Sequence, residues 1–415
     1  MDFASSERSQ ELHFRMAEFL HECVLPAEAV YAQRRATSLD PHHVPAVLED
    51  LKVEARSRGL WNLFLPSVSG LSNVDYAPLA ELMGRSPVLA PEATNCSAPD
   101  TGNMELLHLF GTLSQQDRWL TPLLEGEIRS CFAMTEPEVA SSDATNIATR
   151  IERDGDDYVI TGRKWWITGA GDRRCKVALV LGVTDPDAPV HSRHSVVLVP
   201  MDLPGVVLVR DLPVLGYHDH QGHCEVRFDG VRVPATNLLG VEGRGFLMAQ
   251  SRLGPGRVHH CMRAIGMAER ALDLMTTRAL SRTAFGKTLA EQGVVRRNIA
   301  EARITIEQLR LLVLKTAWLL DTEGPKGARV EVAAIKAAVP RAAGEIVDRA
   351  MQVHGAMGLS DDVPLAHLYA ATRALRIADG PDDVHLESVA RREIARHAIP
   401  AQRPASTSAG TPIRS

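Results

Sequence analysis

Four segments of the chain combine side chains that can take part in a reaction with residues that bend the backbone. The first pairs two serines with an acid, the second has adjacent tryptophans before a threonine, the third begins with an arginine, and the fourth ends in an acid before Gly-Pro. These segments are residues 131–137 with 141–143, residues 162–168, residues 282–287, and residues 352–358 with 379–381. A carboxylate can take a proton from carbon, and an arginine can bind a carboxylate or a phosphate through two parallel hydrogen bonds.

The same residues also have structural interpretations. Asp379-Gly380-Pro381 is a favourable turn that can cap a following helix. Aromatic residues on strands usually belong to a core, but Trp165 and Trp166 are neighbours, and neighbours on a strand point to opposite faces. One of the two tryptophans is therefore expected to contact something other than the sheet core.

Two further patterns predict no site. The side chains of His218, His220, His223 and Cys224 could bind a metal, but they lie in a Gly/Asp-rich connection with no partner pattern elsewhere. We interpret them as a structural or solvated loop and predict no metal. The glycines of residues 240–245 lack the dinucleotide-binding spacing, and no βαβ unit surrounds them, so they are expected to shape a turn.

The composition excludes several classes of protein. The 415 residues include 46 Lys and Arg against 51 Asp and Glu, so the net charge of −5 predicts neither a nucleic-acid partner nor an anionic membrane surface. No window approaches the ~20 uninterrupted apolar residues of a membrane span. The 6 cysteines occur singly, and residues 1–15 lack the apolar segment of a secretory signal. These features predict a reducing compartment, by default the cytoplasm.

Hydrophobic periodicity divides the chain into three parts and a tail. Residues 1–127 predict helices, residues 128–240 predict an antiparallel sheet or barrel, and residues 241–396 predict a four-helix bundle. Residues 397–415 are rich in Pro, Ser, Thr, Ala and Gly and predict a disordered tail.

Particular residues place the boundaries of individual elements. Pro26 is expected to end the first helix, and Gly59 to cap a later one. Asp154-Gly155 is a hairpin turn between two β-prone runs. Apolar residues from Val295 to Leu320 form one long helical face, and Pro340 is expected to disturb the helix that follows.

In this order along helices, strands and helices, the four segments resemble the acyl-CoA dehydrogenase family of flavoproteins over nearly all of residues 10–396. Residues 132–143 and the Asp-Gly-Pro triplet look most like the branch of the vertebrate ten and eleven types. The resemblance implies an α+β fold with an N-terminal helical domain, a central antiparallel β domain and a C-terminal four-helix bundle. It also implies FAD as the cofactor and an acyl-CoA thioester as the substrate.

The reaction implied by the resemblance is α,β-dehydrogenation of the thioester to trans-2-enoyl-CoA. Removal of the weakly acidic α-proton needs a carboxylate in a dry pocket and donors to the carbonyl oxygen, and the β-hydride leaves to the flavin. The resemblance places the base at Asp379, where most members carry Glu, and substrate contacts at Ser142, Arg257 and Gly380. Aspartate is one methylene shorter, and a misplacement of ~1 Å can cost about a hundredfold in rate.

The resemblance also implies the residues of the flavin site. Phe132, Met134 and Thr135 are expected along the ring, and Ser141 or Ser142 at the pyrophosphate, a choice left open by one extra residue before Asp143. The match to Trp-Ile-Thr assigns Trp166 to the ring face and Thr168 to the hydride-accepting nitrogen, with Ile167 between them. Further cofactor contacts are implied for Arg282, Phe285, Gln352, Gly355, Ala356, Pro381 and Asp382.

Of these, Arg282, Gln352, Gly355 and Ala356 would reach the flavin of a neighbouring subunit, so the resemblance implies a homodimer or homotetramer. Electron-transfer flavoprotein is the expected acceptor. Two alternatives remain open: an oxygen-using acyl-CoA oxidase or flavin monooxygenase of the same fold, and a catalytically silent relative that binds acyl thioesters. The sequence leaves the acyl chain length and the choice between CoA and a carrier protein undetermined.

Overall fold

The computed structural model describes residues 2–398, apart from the side chains of Arg252, Leu253 and Pro255. The predicted disordered tail therefore lies almost wholly outside the described residues. The N-terminal part is helical, with elements α1 (Glu7–Phe19), α2 (Leu25–Ala36), α3 (Ala46–Ser57), α4 (Pro66–Ser69), α5 (Asn73–Gly84), α6 (Leu89–Ala93), α7 (Asp100–Phe110), α8 (Leu113–Gln115) and α9 (Thr121–Leu124).

Pro26 does not end the first helix, so that prediction is wrong. A π-helical turn over Leu20–Val24 joins α1 to α2, and Pro26 lies in the first turn of α2. Proline has no N–H to donate, and the wider turn lets the chain continue without the bond that proline cannot make. Gly59 follows α3 with φ +71°, the left-handed conformation expected of a glycine after a helix.

The middle part is a sheet in the order β6-β7-β3-β2-β4-β5-β8, with β1 paired to β4. Its strands are β1 (Arg129–Ala133), β2 (Arg150–Asp154), β3 (Asp157–Thr168), β4 (Cys175–Val183), β5 (His194–Pro200), β6 (Val206–Asp211), β7 (His223–Pro234) and β8 (Leu238–Leu239). The Asp154-Gly155 hairpin is confirmed, since β2 and β3 pair from Asp154 and Asp157 outward. The sheet is not purely antiparallel, because β1 and β4 run parallel.

Strand β4 separates two cores. Val177, Leu179 and Leu181 pack with the helices, whereas Ala178 and Val180 pack into a second core enclosed by the sheet. This alternation follows from the two-residue period of a strand, and it lets one apolar run serve two cores. The sheet thereby packs against the helical parts on one face and against the second core on the other.

The C-terminal part is a helical bundle, with elements α10 (Gly245–Ser281), β9 (Thr283–Ala284), β10 (Lys287–Thr288), α11 (Gly293–Gly327), α12 (Arg329–His354), α13 (Leu365–Leu375) and α14 (Asp382–His397). The predicted break at residues 324–327 is present, since Gly324 leaves the helical conformation with φ +72°. Pro340 lies inside α12, which continues to His354.

Two glycines set the distance between α5 and α10. A Cβ on Gly266 would lie 1.8 Å from the Glu81 carbonyl oxygen, and one on Gly84 would lie 1.9 Å from that of Arg263. The two backbones therefore approach more closely than any larger residue allows. This crossing fixes α10, the helix that lies beside Asp379. Over the described residues, no helix is both long and apolar enough to cross a membrane.

Candidate active site

Asp379 lies in the turn between α13 and α14 and adopts a left-handed backbone conformation with φ 55°. Aspartate tolerates this conformation better than most residues because its short polar side chain can hydrogen-bond locally. Gly380 continues the turn with φ +104°, and Pro381 stands at the N-terminus of α14. A Cβ at residue 380 would lie 2.9 Å from His385 Nε2, so the turn requires glycine there.

Basic side chains from three helices hold this turn. Arg257 Nε of α10 donates to the Asp379 carbonyl oxygen at 2.9 Å, and His385 Nε2 of α14 lies 3.3 Å from the same oxygen. Lys336 of α12 donates to the Leu375 carbonyl oxygen and lies 3.5 Å from that of Gly380. The backbone of residues 375–380 is therefore fixed from several sides at once.

The Asp379 carboxylate points towards α10. Its Oδ2 lies 3.5 Å from His260 Nε2, and its side chain is only 17% exposed. Gly256 leaves space beside it, since a Cβ at that position would lie 3.8 Å from the same oxygen. The predicted base is thus partly buried and directed into the protein, as removal of a proton from a bound substrate requires.

Burial and neighbouring charges shift the pKa values of the titratable groups around the turn. Burial lowers the pKa of Lys336, and burial also lowers that of Arg257, while the Asp379 charge opposes both shifts. Burial and the neighbouring Arg257 and Lys336 charges lower the pKa of His385 to about 4, so this imidazole is neutral at pH 7. The Arg257 guanidinium keeps its charge and favours the ionised form of Asp379, the form that acts as a base.

Trp166 is the tryptophan that leaves the core. It has φ 54° and is 41% exposed, at an irregularity in the pairing of β3 with β7 between Lys164 and Ile167. The bulge turns the indole outward, while the Ile167 side chain is 1% exposed in the sheet core. A contact between Ile167 and a ligand would therefore run through backbone atoms. The Thr168 hydroxyl lies 2.8 Å from His223 Nδ1.

A buried ion pair positions the segment that contains Met134 and Thr135. Lys164 is fully buried, and its Nζ donates to the Met134 carbonyl oxygen at 2.8 Å, to Glu136 Oε1 at 2.8 Å and to the Leu181 carbonyl oxygen at 2.7 Å. Burial lowers the pKa of Lys164 to about 8, against the opposing Glu136 charge. The backbone N–H of Trp165 donates to the Thr135 carbonyl oxygen at 2.9 Å, so β3 also holds this segment.

The two candidate serines differ in their surroundings. Ser141 Oγ accepts the Glu136 N–H at 2.9 Å and is part of the turn after β1. Ser142 is exposed beside it, and Asp143 caps the following 3₁₀ turn through the Thr145 N–H. Phe132 lies in β1, opposite Leu179 of β4. The geometry therefore leaves the Ser142 side chain as the one directed towards solvent or a ligand.

The other predicted cofactor residues lie on the exposed surface or near its edge. Arg282 is exposed where α10 ends, and Phe285 is 99% exposed with φ 54° in the two-residue turn between β9 and β10. Gln352, Gly355 and Ala356 are exposed at the end of α12. Pro381 and Asp382 lie beside Asp379, and Asp382 Oδ2 accepts from Arg376 Nε at 2.6 Å.

The histidine-rich connection before β7 makes structural contacts. Tyr31 Oη lies 2.8 Å from His220 Nδ1, and His218 Nδ1 lies 2.6 Å from Asp211 Oδ2. Ligand atoms of His42, Asp211 and Cys224 lie within 4.8 Å of one another. The Asp211 carboxylate already accepts backbone N–H groups, which accounts for its place there.

Sequence reasoning missed His260, Lys336 and His385 at the Asp379 turn, and Lys164 with Glu136 under the Met134 segment. The available signal was a lysine between apolar residues at position 336. Lysine is almost never fully buried unless it is paired, so such a position points to buried acceptors. The identity of those acceptors depends on the tertiary fold.

Comparison with known proteins identifies relatives of the chain. Family models match the acyl-CoA dehydrogenase middle domain over residues 131–231 and its C-terminal domain over residues 243–394. The chain is 59% identical over 397 residues to "Probable acyl-CoA dehydrogenase FadE2" of Mycobacterium tuberculosis, covering 95% of this chain and 98% of that protein.

Human acyl-CoA dehydrogenase family member 11 is 54% identical over 398 residues, 94% of this chain, but the chain spans only 51% of that longer protein. A solved structure from Mycobacterium abscessus, assigned to the acyl-CoA dehydrogenases, is 53% identical, with a TM-score of 0.92 over 95% of this chain and 100% of that one. In sequence and in fold, the chain belongs to the acyl-CoA dehydrogenase family.

Proposed function

We propose that the protein removes the α-proton and the β-hydride of an acyl-CoA thioester and forms a trans-2-enoyl-CoA. The observation that carries the proposal is the Asp379 carboxylate, partly buried, directed at α10 and held by a turn that several basic side chains fix. A carboxylate at the surface would be solvated and weakly directed, whereas one fixed in a sheltered position can meet a bound substrate with little reorganisation.

Each part of the turn has a role in this reaction. Asp379 accepts the α-proton at its carboxylate. Arg257 donates to the Asp379 carbonyl oxygen, and Lys336 holds the backbone on either side through the carbonyl oxygens of Leu375 and Gly380. Gly380 permits the turn and is a proposed substrate contact, as are Arg257 and the exposed Ser142. The shorter side chain of aspartate places the carboxylate nearer its own backbone. The position of the carboxylate therefore depends more strongly on how the backbone of residues 375–380 is held.

The residues of the sheet fit a flavin. FAD, the cofactor of this fold family, accepts the β-hydride when bound. We assign the outward Trp166 indole to cover the ring, and the Thr168 hydroxyl and the backbone of residues 132–135 to hold its polar edge. An exposed aromatic ring on a strained, outward-turned backbone is the type of feature that a planar ligand buries.

The position of Arg282 supports an oligomer. Arg257 lies on α10 and Arg282 directly follows the last residue of that helix, 25 residues further on, which corresponds to about 37 Å of helix axis. The Asp379 turn therefore lies against the first half of α10, and the C-terminal end of the helix reaches away from it, together with the exposed Phe285. We propose that Arg282, Phe285, Gln352, Gly355 and Ala356 complete the flavin site of a second subunit, in a homodimer or homotetramer.

Electron-transfer flavoprotein is the proposed acceptor, and an oxygen-using oxidase of the same fold is the alternative. A cytoplasmic location stays a prediction, supported by 6 cysteines that form no disulfide. The retained acid at position 379 and the buried support around it argue against a catalytically silent relative.

The test uses the flavin-loaded protein under anaerobic conditions. A series of saturated acyl-CoA thioesters of increasing chain length is mixed with the protein, and flavin absorbance is followed. The proposal predicts bleaching by at least one thioester with formation of the 2-enoyl product. Admission of oxygen then distinguishes the two acceptors: slow reoxidation supports a dehydrogenase, and rapid reoxidation without a protein acceptor supports the oxidase. Absence of bleaching by every thioester would refute the proposal.

A further inference from the structure

His260 lies between Asp379 and a buried arginine. It follows Gly256 and Arg257 by one turn of α10, and its side chain is 20% exposed. Its Nε2 lies 3.5 Å from Asp379 Oδ2, and Arg263 Nη2 lies 3.2 Å from its Nδ1. Arg263 is itself 5% exposed and donates from Nη1 to the Cys96 carbonyl oxygen at 3.2 Å. The three side chains form a line that ends at the carboxylate.

The chemistry of arginine determines which atom donates and which accepts at each of these contacts. A guanidinium has only N–H donors and keeps its proton, so the His260 Nδ1 that it faces must be the acceptor. A neutral imidazole with a lone pair on Nδ1 carries its hydrogen on Nε2, the atom that faces the carboxylate. The structure therefore fixes the tautomer: His260 presents an N–H to Asp379.

We propose that His260 is a positioning residue for the catalytic base, holding the Asp379 carboxylate through Nε2–H with its tautomer set by Arg263. This proposal rests on the proposed function of Asp379. At 3.5 Å the contact is long for a hydrogen bond, but catalytic contacts are often long without substrate and shorten in the complex.

The contact between His260 Nε2 and Asp379 Oδ2 can orient the short aspartate side chain. A Cβ at Gly256 would lie 3.8 Å from Asp379 Oδ2, and His260 supplies a polar group 3.5 Å from the same oxygen. Donation from Nε2–H favours the ionised carboxylate and restricts its rotation. The other titratable groups that face the turn are Arg257 and Cys261 of α10, Lys336 of α12, and His385 and Asp382 of α14. All of them are unchanged in the variants below.

Two substitutions of His260 distinguish the effect of the Nε2–H donor from the effect of side-chain size. His260→Gln keeps a donor that can reach the Nε2 position, and His260→Leu fills space without a donor. In the Leu variant we expect anaerobic flavin reduction by acyl-CoA to slow about 10- to 100-fold, with little change in KM. The acidic limb of its pH–rate profile should move to higher pH by about one unit. His260→Gln should stay within about threefold of wild type.

His259→Phe is the matched control. His259 is the adjacent histidine, but it is buried against Tyr76 with ring centroids 4.9 Å apart, and phenylalanine keeps that contact. Its pH–rate profile should follow that of wild type. A general effect of altering this part of α10 would move both profiles, whereas loss of the Nε2–H donor moves only that of His260→Leu.

A second measurement needs neither flavin reduction nor the Leu variant. In ¹⁵N-histidine-labelled wild-type protein, the signals lost in His260→Gln identify the His260 nitrogens, and their shifts report which nitrogen carries hydrogen. Hydrogen on Nε2 supports the proposal, and hydrogen on Nδ1 overturns it. A wild-type rate and pH profile in His260→Leu, or a Gln variant as slow as Leu, also overturns it. Failure of wild-type bleaching would instead refute the proposed function.

Discussion

The buried Lys164–Glu136 pair offers a quantitative test of how the sheet positions the segment that contains Met134 and Thr135. Lys164 uses its three ammonium hydrogens on Met134, Glu136 and Leu181, at 2.7 to 2.8 Å. Replacing Lys164 with Met keeps nearly the same volume, so the change removes the donors and the charge without opening a cavity. Two buried carbonyl oxygens and one carboxylate oxygen then lose a partner.

The expected cost follows from those three acceptors. Breaking a buried ion pair costs about 3–5 kcal/mol, and each carbonyl oxygen left unpaired adds about 1–3 kcal/mol. Glu136 keeps hydrogen bonds from the Thr149 hydroxyl at 2.6 Å and from the Thr149 and Ala148 N–H groups at 2.8 Å, which limits the loss. The variant also no longer has to bury a charged ammonium group, which reduces the loss of stability further. We expect local stability of the β1–β3 region to fall by about 3 kcal/mol.

Amide hydrogen exchange of peptides from β1 and β3 measures this loss. At about 1.4 kcal/mol per factor of ten, the most protected β3 amides should exchange roughly 100-fold faster in Lys164→Met. Lys176→Met is the matched control, because Lys176 is exposed on β4 and should leave exchange unchanged. Adding Glu136→Gln to Lys164→Met should recover part of the loss, since no unpaired charge remains. Exchange within threefold of wild type in Lys164→Met would refute the reasoning.

Three further predictions concern the helices around Asp379. Gly266→Ala should lower the free energy of unfolding by about 3 kcal/mol in urea denaturation because of the close α5 backbone, whereas Gly293→Ala, with open space around it, should not; equal effects would contradict the helix crossing. Burial lowers the pKa of His259 to about 3, so the unfolded imidazole (pKa near 6.5) binds a proton that the folded one does not, and stability falls as pH drops below 6.5. His259→Phe should therefore lose about 3 kcal/mol less than wild type between pH 7 and pH 4, and parallel curves would contradict this. Lys336→Met should keep flavin bound but slow its reduction by acyl-CoA at least tenfold, because the 375–380 backbone loses a donor; an unchanged rate would show that the turn holds its shape alone.

Local patterns in the sequence predicted the elements well where neighbouring residues decide the structure. The Asp154-Gly155 turn forms between strands that pair directly, and Gly59 follows its helix in the left-handed conformation. The long apolar face after Val295 lies on α11. The prediction for Pro26 was wrong because a π-helical turn, which periodicity does not show, absorbs the proline.

Features that depend on distant segments were beyond the sequence pattern. The parallel pairing of β1 with β4 joins strands that no local signal connects. The outward turn of Trp166 depends on the register of β3 against β7, although the adjacent tryptophans indicated that one would leave the core. At the site, Arg257 and the Asp379 carbonyl oxygen are 122 positions apart in the chain, and the packing of α10, α13 and α14 against α12 brings them together.

The most direct measurement of the central claim is anaerobic flavin reduction by an acyl-CoA thioester in Asp379→Asn. Asparagine has the shape of aspartate but does not accept a proton from carbon, so the variant should bind flavin and thioester as wild type does and show no bleaching. Wild-type protein should bleach under the same conditions. Bleaching of Asp379→Asn at a rate near that of wild type would show that another group takes the α-proton and would contradict the account.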